Sequence, residues 1–141
     1  MRKIICVILV FVLAFSFSAC GGNTEKEPET YAPAVEMDLN IIYGDYYDNE
    51  MNAEETHIGK RYKITAKATD ISEDSVTVTQ DIVHPNTIGS FKIDLHFSED
   101  QIEFVKTLSR GNTVTFEGTL TDVQRGNFMD FEDVVFISKV D

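Results

Sequence analysis

The chain has 141 residues, enough for one domain with its own core. Its 24 acidic residues outnumber 12 basic ones, and the net charge of −12 repels polyphosphates and anionic headgroups at long range. The 2 cysteines, Cys6 and Cys20, both lie near the N-terminus, so the chain beyond them can form neither a disulfide nor a cysteine metal site.

Met1-Arg2-Lys3 is a short positive segment, Ile4 to Phe15 is unbroken apolar, and Ser16-Phe17-Ser18-Ala19 turns small. That is the layout of a secretory signal peptide over 1–19. The apolar run is shorter than the ~20 residues a membrane-spanning helix needs. Phe17-Ser18-Ala19-Cys20 resembles the bacterial lipobox, with Phe17 where leucine is usual. The resemblance implies cleavage before Cys20 and acylation of its thiol. Ser16-x-Ser18 also fits ordinary signal cleavage, which would leave Cys20 as an exposed thiol. Lipidation is the reading adopted, since acyl chains at ~0.8 kcal/mol per buried CH₂ give a stable membrane anchor. It places the protein outside the cytoplasmic membrane. Removing 1–19 takes away Arg2 and Lys3 and no acid, so 10 basic residues face 24 acidic ones, a charge of −14. Gly21 to Ala34 is rich in Gly, Glu, Thr and Pro and reads, with Cys20, as a flexible tether over 20–34.

The folded domain is expected over 35–141. Val35, Leu39, Ile42 and Tyr46 fall on one helical face, which predicts a helix over roughly 36–51. The period then becomes two. Tyr62, Ile64, Ala66 and Ala68 mark a first strand, Val76 and Val78 a second, and Phe91, Ile93, Leu95 and Phe97 a third. Ser98 to Gln101 reads as a capping box opening a helix whose apolar face is Ile102, Val105 and Leu108, ended by Gly111. Val114, Phe116, Gly118 and Leu120 mark a fourth strand. Phe131 to Val140 is a fifth, its inward face ambiguous because Val134 to Ile137 are all apolar. Three strands, a helix and two strands is the element order of an OB-fold, a mainly β, five-stranded Greek-key barrel, here with an added N-terminal helix.

Asn49-Glu50, Ala53 and Gly59-Lys60, with Gly111 to Gly118 as a fourth strand, resemble the tRNA_anti-like family of OB-fold domains, many of them small bacterial lipoproteins. Ile58 stands where that family commonly has tyrosine. The resemblance implies the fold over 36–141 and brings no catalytic residue and no cofactor.

Candidate sites follow from residue type. Arg61, Lys63 and Lys67 share one face of the first strand and form a basic stripe. The second and third strands present Thr77, Thr79, Lys92, Asp94 and His96 outward, without the aromatics on which bases stack. With the acidic balance, this argues against nucleic acid. His57, His84 and His96 have no ligand spacing, the acids from Asp45 to Glu55 have no calcium-loop glycine, and no metal site is expected. Asp130, Glu132 and Asp133 read as a charged rim. No nucleophile, phosphate-loop or metalloprotease motif appears, so no enzyme is expected. Tyr43, Tyr46 and Tyr47 exceed what one helical face can bury, and at least one should be exposed, which suits a protein or glycan partner. The expectation is a lipid-anchored, non-enzymatic binding module with speculative ligand contacts at Arg61, Lys63, Lys67, Tyr43 and Tyr47. The alternative is an oligonucleotide or oligosaccharide binder using the basic stripe and the 80–90 and 122–130 loops.

Overall fold

Period-two alternation becomes five long strands. The computed structural model describes residues 31–124 and 127–141. The expected signal peptide, Cys20, the expected tether up to residue 30, and Arg125 and Gly126 lie outside the described residues. In chain order the elements are β1 (Val35–Glu36), α1 (Leu39–His57), β2 (Arg61–Ile71), β3 (Ser75–Asp81) and β4 (Ser90–Phe97). A 3₁₀ turn at Glu99–Gln101 then leads into α2 (Ile102–Val105), β5 (Thr113–Gln124) and β6 (Phe128–Val140).

The strands run β1-β2-β3-β4-β6-β5, and β5 pairs back onto β2. The first half of β2 pairs with β5, from Arg61 opposite Thr119 to Lys67 opposite Thr113. Its second half pairs with β3, with an irregularity between Ala68 and Asp70. β4 and β6 close the ring in parallel. This is the OB-fold barrel, in which closure removes the open sheet edges that invite aggregation.

The inward set is the one the alternation predicts. Ile64, Ala66, Ala68, Val76, Val78, Phe91, Ile93, Leu95, Val114, Phe116 and Leu120 are all buried. Gly118 is needed because β6 crosses close by: a Cβ there would lie 3.0 Å from Val134 Cγ2 and 3.4 Å from the Glu132 carbonyl oxygen.

β6 resolves its own ambiguity with a bulge. Met129 and Phe131 point inward, then Val134 and Phe136 do, so the phase slips by one residue. Opposite β4, Leu95 pairs with Phe131 but Phe97 with Val134. Asp133 absorbs the extra residue at φ 52, a left-handed conformation that Asp tolerates better than most residues.

α1 begins later and ends later than its apolar spacing predicts. Val35 and Glu36 are extended and pair in parallel with Tyr62 and Lys63, so Val35 is exposed and not on a helical face. Asp38 caps the helix by accepting from the Asn40 amide at 2.9 Å. Asn49 is non-helical (φ −158, ψ 91) and its side chain accepts from the Asn52 amide at 3.3 Å, restarting the helix as a second cap. The second segment then buries Ala53 and His57.

The second helix is shorter than expected. The Ser98 hydroxyl turns to Asp100 and makes no cap bond to the helix. Gln101 Oε1 accepts from the Phe136 amide at 3.0 Å, so it serves β6 and not a capping box. The α-helix ends at Val105, with Lys106 as its cap, and Leu108 is buried from the segment that follows. The tether's last residues also differ from expectation: Tyr31 packs against the barrel, its ring centroid 4.3 Å from the Arg61 guanidinium carbon.

Candidate functional site

Each helix sits at one end of the barrel. α1 reaches Phe91, at the start of β4, through the Tyr43 ring (centroids 5.5 Å apart). The chain around α2 reaches the other end, where Phe104 stacks on Phe136 at 5.4 Å and Phe97 meets the same ring edge-on at 5.9 Å.

The α1 end contains a cavity of about 260 Å³ lined by Tyr43, Tyr46, Tyr47 and Glu50 on the helix and Val123, Gln124, Asn127 and Met129 on β5, β6 and their connection. The tyrosines meet there because positions i, i+3 and i+4 share a helical face, and Glu50 joins them from just beyond the Asn49 kink. The Tyr43 hydroxyl shares a 2.9 Å hydrogen bond with Thr87 Oγ1. Asn40 Oδ1 accepts from the Val83 amide at 2.7 Å. These two bonds pin the loop between β3 and β4 to the helix. Tyr47 is 53 % exposed, with the His84 ring 4.5 Å away. The Tyr46 hydroxyl is buried and has no hydrogen-bond partner among the described residues. Burial first, then the charges of Glu54, Asp122 and Glu50, push its phenol up to about 12.

Under the cavity, His57 ties α1 to the barrel. It is buried, with Nε2 2.7 Å from Asp45 Oδ2 and Nδ1 2.8 Å from the Tyr62 hydroxyl. A carboxylate only accepts, so Nε2–H donates to Asp45. In the neutral ring Nδ1 then accepts from Tyr62. Burial, and then Asp45, hold the Tyr62 phenol above its usual range. No short-range pattern marks this chain: Asp45 and His57 stand on opposite sides of the Asn49 kink.

The basic stripe is not an exposed unit. Arg61 is 6 % exposed. Its Nη1 donates to the Asp133 carbonyl at 2.9 Å, which satisfies a backbone oxygen at the β6 bulge, and Nε lies 3.9 Å from Glu117. Lys63 is half-buried in a shallow groove with Glu36, Met37, Asp38, Thr65 and Gln80, so two acids share its surroundings. Lys67 is exposed. The structure therefore groups Tyr43 and Tyr47 with described residues of the 80–90 and 122–130 loops, and leaves Arg61, Lys63 and Lys67 outside that group.

The outer face across β4, β6 and β5 is acidic. Asp94 pairs with Asp130, and Asp130 with Asp122. Burial, then Asp122 and Asp94, raise the Asp130 carboxyl above its usual range. Lys92 lies 3.8 Å from Asp94 and 5.3 Å from the centroid of the exposed Phe128 ring. Among the described residues no group of three or more His, Cys, Asp or Glu converges to hold a metal ion.

Comparisons with known proteins agree with the barrel. A lipoprotein of Klebsiella pneumoniae subsp. pneumoniae, provisionally called nucleic acid-binding, is similar at 17% identity and a TM-score of 0.55, covering 74% of this chain and 92% of that one. A mitochondrial single-stranded DNA binding protein of S. cerevisiae is similar at 14% identity, TM-score 0.36, over 57% of this chain and 97% of that one. Replication protein A of U. maydis, bound to ssDNA, is similar at 10% identity, TM-score 0.37, over 77% of each chain. No curated protein matches. The family model described as tRNA_anti-like matches residues 1–130. With that span and the closed five-stranded barrel, the chain belongs to the tRNA_anti-like family of OB-fold proteins.

Proposed function

We propose that the chain is a lipid-anchored, extracytoplasmic OB-fold binding module with no chemistry of its own, whose ligand seats in the tyrosine-lined cavity. The observation that carries this reading is the cavity itself. It combines three tyrosine rings and apolar side chains with a few polar groups, Glu50, Gln124 and Asn127, the pairing of apolar wall and few polar groups typical of ligand sites. Its volume suits one small molecule rather than a polymer. The acidic row on β4, β6 and β5 would repel a phosphate backbone laid across the strand face. The Phe17-Ser18-Ala19-Cys20 pattern and the likeness to a protein called a lipoprotein support the anchor.

Two measurements test it. Amide chemical-shift mapping of the full chain in micelles, against cationic, neutral and anionic small molecules, should give perturbations clustered on Tyr43, Tyr46, Tyr47 and Met129. No clustered response to any of them would overturn the binding site. Mass spectrometry of the mature N-terminus should find Cys20 acylated, and an unmodified thiol would overturn the anchor.

A second reading, oligonucleotide binding, is favoured by Lys92 poised over the exposed Phe128 ring. It predicts that a short thymidine oligomer binds with an affinity that falls steeply with salt, and that Lys92→Glu and Phe128→Ala weaken it. Salt-independent or absent binding removes it.

A further inference from the structure

We propose that the cavity at the α1 end is a cage for a quaternary ammonium group. This inference rests on the reading of that cavity as the ligand site and names the chemistry it takes.

The wall is the first argument. Tyr43 and Tyr47 stand 6.1 Å apart with their planes tilted by 38°, and the His84 ring packs against both, at 5.6 and 4.5 Å. Both tyrosine rings line the cavity, and the negative face of an aromatic ring attracts a cation. Tyr46 adds a third ring, and Met129 and Val123 line the opposite side.

Charge is the second argument. Among the described lining residues Glu50 is the only charged side chain, and none is Lys or Arg. Glu54 and Asp122 stand close enough to act, with Glu50, on the Tyr46 phenol. A field that disfavours a phenolate favours a cation at the same place and opposes an anion.

Hydrogen bonding separates kinds of cation. A primary ammonium must replace three bonds to water, and apart from Glu50, Gln124 and Asn127 the wall is ring and hydrocarbon, which offers no acceptor. A quaternary ammonium has no N–H to satisfy. The Gln124 and Asn127 side chains line the same cavity as polar groups, with Gln124 Nε2 already donating to Asp122 at 3.0 Å. At about 260 Å³ the cavity falls below the ~300–1,000 Å³ of drug-sized sites, which fits a small headgroup.

The test uses the full chain in micelles and two probes of one shape: choline and its uncharged carbon isostere 3,3-dimethylbutan-1-ol. Calorimetry should show choline binding about tenfold or more tighter than the isostere. Tyr47→Ala and Glu50→Gln should each weaken choline about three- to tenfold while the unfolding midpoint moves little, because both side chains are exposed. Equal binding of the two probes overturns the proposal. So does choline binding unaffected by both substitutions. If choline fails to bind while shift mapping finds a neutral or anionic ligand in the cavity, the ammonium cage falls and the binding module stands. If the cavity binds nothing, both fall.

Discussion

The two ends of the barrel are closed by the same kind of element with opposite results. At the α2 end three phenylalanines, Phe97, Phe104 and Phe136, pack ring on ring, and Gln101 and the Thr107 carbonyl take up nearby donors at 3.0 and 2.6 Å. At the α1 end Phe91 is joined by the polar aromatics Tyr43, Tyr46, Tyr47, Tyr62, His57 and His84, and a cavity remains between helix and strands. The rings are of similar size, and the difference is the polar atom each carries. A phenyl ring gains by excluding water on all sides, whereas a phenol or imidazole must keep its polar atom paired or wet. One end is sealed by hydrocarbon, and the other keeps a cavity.

The largest expected break comes at the sealed end. Phe136→Ala should cost about 3–5 kcal/mol in urea unfolding, because Phe136 is buried against two rings. Surviving folded protein should still bind at the far end.

Next is the tie beneath the open end. His57→Ala leaves the Tyr62 hydroxyl and the Asp45 carboxylate without their shared partner, at a cost of about 2–3 kcal/mol. Hydrogen exchange should show α1 amides losing protection more than those of β3 or β4. Equal loss everywhere would mean that α1 and the barrel unfold as one unit.

Tyr46→Phe sharpens the comparison in the other direction. Removing a buried hydroxyl that has no partner should stabilise the ligand-free protein by up to about 1 kcal/mol, a change that turns one residue of the open end into the chemistry of the sealed end. A clear destabilisation would show that the hydroxyl is paired in solution.

The smallest effect is a pH effect on the acidic face. The folded Asp130 carboxyl titrates above its unfolded value of 3.8, so it stabilises the fold below that value and loses this contribution as pH rises through the raised one. At neutral pH its charge opposes folding. Asp130→Asn should therefore raise stability near pH 7 by roughly 0.5 kcal/mol, through relief of cross-strand repulsion. The gain should vanish below pH 3.8, where wild-type Asp130 is itself protonated.

The barrel was legible in the sequence because its strands are half-buried and each inward position repeats every second residue. Phe91, Ile93 and Leu95 need no knowledge of their partners to be placed inside. Where the account depended on a partner, local reading went astray. Arg61 has the parity of Lys63 and Lys67, yet it is drawn in by a carbonyl 72 residues away that a bulge has freed. Gln101 has capping-box spacing, yet a β6 amide claims it. Val35 has helical spacing, yet pairing with Tyr62 holds it extended. The tyrosines of α1 were recognisable as too many for one buried face. What they surround was not, because the opposite wall comes from residues some 80 positions further on, and nothing in their order signals that they face α1.

The central claim is that the open end is the place of recognition. Intermolecular nuclear Overhauser effects from a bound small ligand, with choline as the first probe, test it most directly. The account predicts contacts from the N-methyl protons to the Tyr43 and Tyr47 rings. Contacts to Phe128, Lys92 or His96 on the strand face, or none at saturating ligand, would contradict it.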